Sequence, residues 1–273
     1  RDDDIIINTW AKSGTTWTQQ ILTQLVFNGE KDLPAMDLAP WVELRLIPLD
    51  EMMEGLKAQN HRRFMKSHAP AETLDIEPNV HYLFLARDAR DVIWSWYRHL
   101  HHHNELFYDA LNNTPGRVGP PLEKPKGTVR EFFHQWMEED GLYDWSYFDH
   151  IQSWWDLRHL PNVKLVHFNN LKADMPKEIR GIADFLGIEI DESRWDNIVK
   201  HCTFDYMKKN AGALSDVFEQ FFEGGLQNFV YKGTNKRWAD TLNDEEIALY
   251  EKRQSERLTP DCAHWHTTGE MKG

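Results

Sequence analysis

The residues with the most chemistry per unit length stand at Lys12-Ser13-Gly14-Thr15-Thr16-Trp17. A glycine lets backbone N–H groups approach a ligand closely, and the serine and two threonines add hydroxyl donors. The lysine adds a mobile positive charge. Placed between a strand and a helix, such a loop holds an anion, because the first N–H groups of a helix lack partners and its dipole favours negative charge. The spacing is not that of the Walker A loop. Here the lysine precedes the glycine and no Gly-Lys pair follows, so ATP hydrolysis loses its main support. A plain strand–helix turn with a Ser or Thr N-cap is the simpler alternative.

Two further segments carry suitable groups. In Arg87-Asp88-Ala89-Arg90-Asp91-Val92-Ile93-Trp94-Ser95, Arg87 offers a planar fork of donors matched to phosphate oxygens. Ser95 lies two turns further along one helix. The simpler alternative pairs Arg87 with Asp91. In Phe64-Met65-Lys66-Ser67-His68-Ala69-Pro70, a lysine and a histidine close a strand, and a histidine suits proton removal near neutral pH.

These groups need elements to carry them. Ile5–Thr9 is a short apolar run rich in β-branched residues and predicts a buried strand,; Arg63–Ser67, His81–Ala86 and Val163–Phe168 are the further strand candidates. Trp17, Ile21, Leu22, Leu25 and Val26 recur at helical spacing,. Further helices are expected over Ala89–His102, Tyr147–His159, Pro176–Leu186 and Asp244–Leu258. The alternation predicts an α/β fold of three layers: a central, mostly parallel sheet with helices on both faces. Ligands then bind at the carboxyl ends of the strands. One domain over residues 1–273 is expected. Asn112–Gly127, rich in Pro and Gly, reads as a mobile loop and not a boundary. A core strand so near Arg1 predicts that natural N-terminal residues are missing.

Taken together, the motifs resemble those of the cytosolic-type sulfotransferases, and of their bacterial members in particular. The first is similar to P-K-S-G-T-T-W, with Ala11 in place of the proline. Lys66-Ser67-His68-Ala69-Pro70 is similar to K-[ST]-H-x-P, and the Arg87 segment to R-[DN]-x-[KR]-D-V-x-x-S. Tyr231-Lys232-Gly233-Thr234-Asn235-Lys236-Arg237-Trp238 resembles R-K-G-x-x-G-x-W. The resemblance covers nearly the whole chain, with the motifs in the family's order. It implies transfer of a sulfuryl group from 3′-phosphoadenosine 5′-phosphosulfate to a hydroxyl or amine, in line and without a covalent enzyme intermediate. His68 is then the base, Lys12 stabilises the leaving group, and Lys66 lies near the sulfuryl group. Ser13, Gly14, Thr15, Thr16 and Trp17 cradle the 5′ end, and Arg87 and Ser95 contact the 3′-phosphate. Phe168, Cys202 and Phe204 stand where the family binds adenine. Tyr231, Lys232 and Gly233 close over the 3′-phosphate, but Tyr231 replaces an arginine. Lys236 and Arg237 are the candidate substitutes. Trp17 and Phe204 as ordinary core residues is the alternative.

The bulk properties limit the rest. A net charge of −13 argues against a general nucleic-acid binder. Cys202 and Cys262 are too few for a disulfide framework, and a reduced, cytoplasmic protein is expected. No segment is apolar enough to span a bilayer, and the start is not a signal peptide. No metal is expected to be required. His99, His101, His102 and His103 read as a helix end rather than a metal site, His264 and His266 as surface residues, and Glu138–Asp140 and Asp244–Glu246 as solvated. The acceptor is a small molecule, with Trp41, Phe107, Tyr108, Tyr143, Trp145 and Phe148 as candidate lining. These aromatics favour a phenol, sterol or lipid alcohol. The family's dimer signature is absent, which leaves oligomeric state open. A P-loop kinase and a non-catalytic nucleotide-binding relative are the competing functions. The first lacks a Walker lysine; the joint presence of Lys12, Lys66 and His68 speaks against the second.

Overall fold

A computed structural model describes residues 1–117, 119–141 and 145–272. Four strands, β1 (Ile5–Asn8), β2 (Phe64–Ser67), β3 (His81–Ala86) and β4 (Val163–His167), form one parallel sheet in the order β2-β1-β3-β4. The helices that frame it are α1 (Thr15–Val26), α2 (Ala89–His102), α3 (Val129–Glu139), α4 (Tyr147–Asp156), α5 (Met175–Leu186), α6 (Asp244–Arg257) and α7 (Pro260–Thr268). Each expected strand and helix is present, with ends shifted by up to three residues.

The period of two along the strands divides the core. Ile5, Ile7, Leu83, Leu85 and Val166 share one cluster with Ile21, Leu22 and Leu25 of α1 and Ile179, Ile182 and Leu186 of α5. Tyr82, Phe84, Ala86 and Val163 face the other way, towards Val92 and Ile93 of α2, Ile151 and Trp154 of α4 and Trp265 of α7. Phe84 lies flat on Trp154, with ring planes 10° apart. Each fully buried Leu or Ile contributes about 1.5–3 kcal/mol relative to exposure, so both faces hold the strand ends in place.

Register decides which loops meet. Asn8 at the end of β1 lies opposite Ser67 of β2 and Phe84 of β3. The chain leaving β1 towards Lys12 therefore starts beside the chain leaving β2 at His68. Arg87 follows β3, one position past Ala86, which pairs with His167.

Two sequence expectations fail here. His266 is fully buried; its Nε2 lies 2.9 Å from the Tyr147 hydroxyl and its Nδ1 2.8 Å from Gln254 Nε2. Helix α7 packs on α4 and α6, so its inner face is core. Glu246 is buried too, because it closes a capping box with Asn243 and accepts from Arg130 and His134 of α3. Within the segment expected to be a mobile loop, Asn112 and Leu122 exchange two hydrogen bonds at 2.8 and 2.9 Å.

Candidate active site

The strand ends open into one cavity of about 800 Å³. Lys12, Gly14, Thr15, Thr16, Trp17, Lys66, His68, Arg87, Ser95, Phe168, Phe204, Tyr231, Lys232 and Gly233 all line it. Residues from six separate segments thus converge where a parallel sheet binds ligands,.

The loop after β1 is built for close approach. Gly14 has φ +120° and caps α1 without any side-chain cap, which disposes of the Ser/Thr N-cap alternative. A Cβ at this position would lie 2.7 Å from Leu85 Cδ2 and 3.0 Å from Phe168 Cδ2. Ser13 is fully buried, and its hydroxyl has no protein partner. The Thr15 hydroxyl lies 2.7 Å from that of Thr9. Lys12 adopts φ +67°, and its Nζ sits 4.1 Å from the centre of the Phe229 ring.

Charge is concentrated at the same place. Burial, with the nearby charges of Lys66, Arg87 and Arg98, lowers the Lys12 ammonium to about 7. Burial lowers Lys66 to about 8, partly offset by Glu43. The Lys66 ammonium rests 4.2 Å from the centre of the Trp41 ring. A buried excess of positive charge of this kind is costly without an anion and marks a functional site.

His68 is buried beside Lys66, with Trp41 edge-on to its ring at 4.9 Å. Its Nδ1 lies 2.6 Å from the carbonyl oxygen of Thr9. A carbonyl only accepts, so Nδ1 carries the proton and the lone pair is at Nε2. Burial, reinforced by the Lys66 charge, holds the ring well below the usual histidine range. It is therefore a neutral imidazole with a defined acceptor nitrogen.

At the far end, Arg87 donates through Nη2 to the Thr234 carbonyl at 2.9 Å and to Asn235 Oδ1 at 2.8 Å. Its guanidinium lies 4.2 Å from the centre of the Phe168 ring. The expected pairing alternative with Asp91 gives way to this. Asp91 instead accepts from the backbone N–H of Lys236 at 2.6 Å, which fastens the C-terminal motif to α2. Asp88 N-caps α2 and is salt-bridged to Arg90, so both its carboxylate oxygens are engaged within the protein.

Tyr231, where the resemblance implies an arginine, gathers cations instead. The Arg98 guanidinium is 3.6 Å from its ring centre, Lys232 Nζ 5.2 Å and the Arg237 guanidinium 5.3 Å. Arg98 and Arg237 both line the cavity, whereas Lys236 is exposed and does not. Arg98 escaped the sequence reading. The available signal was its place three residues after Ser95, on the same face of α2.

Several expected contacts are absent. The Cys202 thiol is fully buried in the core around α1; only its carbonyl matters to the site, accepting from the Trp17 indole at 2.8 Å. Its neighbour Thr203 lines the cavity. Phe204 is in place, held against Gly233, where a Cβ would lie 2.9 Å from the ring. Among the acceptor candidates, Trp41 and Phe107 line the cavity. Phe148 is core, packed against Trp136 and Tyr250. Tyr108 is buried and donates to the Leu100 carbonyl, and Trp145 is on the surface with its carbonyl accepting from Trp10. Tyr143 lies outside the described residues. Leu111, Leu122, Phe218, Phe222 and Phe229 are among the other apolar residues of the cavity wall. The histidines after His99 are not a simple helix end. His103 is buried, and His99 and His103 face the cavity. Among the described residues no group of His, Cys, Asp and Glu is placed to hold a metal ion. Nor is any helix among them long and apolar enough to cross a membrane.

Comparison with known proteins gives a consistent result. Residues 2–259 match the family model described as the sulfotransferase domain. A glycolipid sulfotransferase of Mycobacterium tuberculosis is 30% identical over 98% of this chain and 89% of its own length. Rat sulfotransferase 1A1 is 27% identical over 95% of this chain and 86% of its own. Among solved structures, retinol dehydratase in complex with androsterone and inactive cofactor PAP superimposes with a TM-score of 0.74. It is 21% identical, over 95% of this chain and 82% of that one. A mouse sulfotransferase complexed with PAP gives 0.68 at 22% identity, over 97% of this chain and 87% of that one. At these identities the two structures establish the fold.

Proposed function

This chain belongs to the sulfotransferase domain family, and from that premise we propose that it moves a sulfuryl group from 3′-phosphoadenosine 5′-phosphosulfate to the hydroxyl of a small hydrophobic or aromatic acceptor. The observation that carries this reading is the meeting of Lys12, Lys66 and the oriented, neutral His68 at one cavity wall.

The chain's own residues fit such a donor. The uncapped start of α1 and the Thr15 and Thr16 side chains that line the cavity suit the 5′-phosphate, whereas Ser13 is fully buried and is not part of the cavity lining,. Trp17, Phe168 and Phe204 offer aromatic surface for the purine. Arg87, Ser95, Lys232 and the backbone at Gly233 suit the 3′-phosphate, with Arg98 and Arg237 supplying the guanidinium that Tyr231 lacks. An anion bound beside Lys12 and Lys66, which burial lowers to about 7 and about 8, favours their charged forms,.

In the reaction, the acceptor oxygen forms a bond to sulfur as the bond from sulfur to the bridging phosphate oxygen breaks. The acceptor's proton passes to His68 Nε2. The bridging oxygen leaves with the electron pair as part of the 5′-phosphate of 3′,5′-bisphosphoadenosine, and the Lys12 ammonium stabilises the charge gathering there. Lys66 holds the sulfuryl oxygens between the two. Positioning and fixed charge supply most of the catalysis. The apolar wall of Trp41, Phe107, Leu111, Leu122 and Phe222 supports a hydrophobic acceptor, in keeping with a relative named for glycolipids. The two free, buried thiols support a reducing, cytoplasmic setting,. Incubating the protein with donor and a mixed library of phenols, sterols and glycolipid alcohols, and seeking a mass gain of one sulfonate, tests the reading. A Mg²⁺-dependent release of phosphate from ATP without any sulfonated product would replace it with a kinase-like function.

A further inference from the structure

Two histidines outside the reacting groups connect to Lys12, His99 directly and His103 through His99. His99 and His103 stand four residues apart on and just beyond α2, so their side chains fall on one face,. Their hydrogen bonds form a chain whose direction is fixed from one end. His103 Nδ1 lies 3.1 Å from the carbonyl oxygen of Phe221, which has no proton to give, so the ring proton of His103 is on Nδ1. Its Nε2 keeps a lone pair and lies 3.0 Å from His99 Nε2, which must therefore carry the proton of His99. That leaves the lone pair of His99 on Nδ1, 3.2 Å from Lys12 Nζ.

We propose that His99 is a positioning residue for Lys12, accepting a hydrogen bond from its ammonium at Nδ1, and that His103 sets the tautomer of His99 that makes this possible. This rests on the reading of Lys12 as the group that stabilises the leaving oxygen. The rings are held for the purpose: Trp96 stacks on His99 with planes 25° apart, and Phe107 lies parallel to His103 within 5°. Burial keeps both rings neutral, His99 well below its usual range and His103 at about 3. A protonated or oppositely tautomerised His99 would turn an N–H towards the ammonium and repel it.

The need for such a partner follows from the surroundings of Lys12. Lys66, Arg87 and Arg98 all press on it with like charge. Its long stem has many rotamers. The Phe229 ring supplies attraction but no direction. One acceptor at a fixed nitrogen orients the ammonium and leaves its other N–H bonds for the departing phosphate, the kind of preorganisation that makes fixed charge effective.

The test uses purified full-length protein, 2-naphthol as probe acceptor, and hydrolysis of the donor by water as an acceptor-independent readout of the same bond breaking. Lys12→Ala is run first. If it keeps wild-type rates in both readouts, the underlying assignment of Lys12 is wrong. If it loses them, His99→Phe is expected to lower kcat by about tenfold to a hundredfold while KM for the donor and affinity for 3′,5′-bisphosphoadenosine change by less than about twofold. His99→Asn, whose Oδ1 stands near the position of Nδ1 and accepts, recovers most of the loss. His103→Leu lowers kcat in the same direction as His99→Phe. Wild-type kcat in His99→Phe overturns the proposal, and so does an equal loss in the Phe and Asn variants.

Discussion

The ring of His68 is tied through Nδ1 to the carbonyl oxygen of Thr9 at 2.6 Å. Thr9 follows β1 and His68 follows β2, so the parallel register of Asn8 with Ser67 creates this bond. The bond in turn decides which nitrogen of His68 can take a proton.

His68→Ala removes the proposed base together with its hydrogen bond to the Thr9 carbonyl, and leaves every residue of the Lys12–Trp17 loop in place. Turnover is expected to fall by about 10²–10⁴-fold, the usual share of a positioned general base, with 3′,5′-bisphosphoadenosine affinity within about twofold of wild type. Steady-state kinetics and calorimetric titration check both halves. Turnover within a factor of a few of wild type removes the assignment.

Lys12→Met should separate activity from stability. The folded protein lowers Lys12 to about 7 from an ordinary 10.5, so between those pH values the unfolded chain binds more protons. Stability attributable to this group therefore rises with pH across that window. The variant is expected to raise the thermal midpoint of the ligand-free protein at pH 7 by roughly 2–4 °C, and to flatten its rise towards pH 10. Turnover is lost. A lowered midpoint would show that Lys12 is not under positive strain.

Arg98→Ala and Arg237→Ala test the substitution for the missing arginine at Tyr231. Each is expected to weaken 3′,5′-bisphosphoadenosine by about tenfold to a hundredfold, the worth of a charge-assisted hydrogen bond. Binding of adenosine 5′-phosphate, which lacks the 3′-phosphate, stays within about twofold. Equal losses for both nucleotides would place these guanidiniums elsewhere on the ligand.

Gly14→Ala meets both a steric and a conformational obstacle, with Leu85 Cδ2 at 2.7 Å and φ at +120°. A destabilisation of about 1–3 kcal/mol is expected, together with weakened nucleotide binding. Chemical denaturation measures the first. A neutral effect would mean that the loop tolerates a different backbone path.

The strands and helices were legible in the sequence because their signals are local. Ile5-Ile6-Ile7 is a β-branched run, Tyr82-Leu83-Phe84-Leu85 is an apolar run alternating aromatic and leucine side chains, and α1 repeats its apolar residues at helical spacing. The phosphate loop and the Lys66-His68 pair were legible as motifs, although their meeting depends on register, which a single strand does not reveal. Burial of polar residues was not legible. Glu246 and His266 read as solvated because the sequence does not show that α3 and α4 lie against them. Cys202, Tyr108 and Phe148 have the right composition for a pocket but point into core. Arg98 and His99 acquire meaning only once α2 is seen to run along the cavity, with Tyr231 and Phe229 folded back over it.

The central claim is that this cavity transfers a sulfuryl group using Lys12 and His68. A single-turnover experiment with donor labelled in its sulfuryl group, in excess protein and with 2-naphthol as acceptor, tests it most directly. Direct in-line transfer gives label in the naphthyl sulfate, stoichiometric release of 3′,5′-bisphosphoadenosine, no protein-bound label at any time, and loss of transfer in both Lys12→Ala and His68→Ala. Label retained on the protein, or transfer undiminished in both variants, would contradict it.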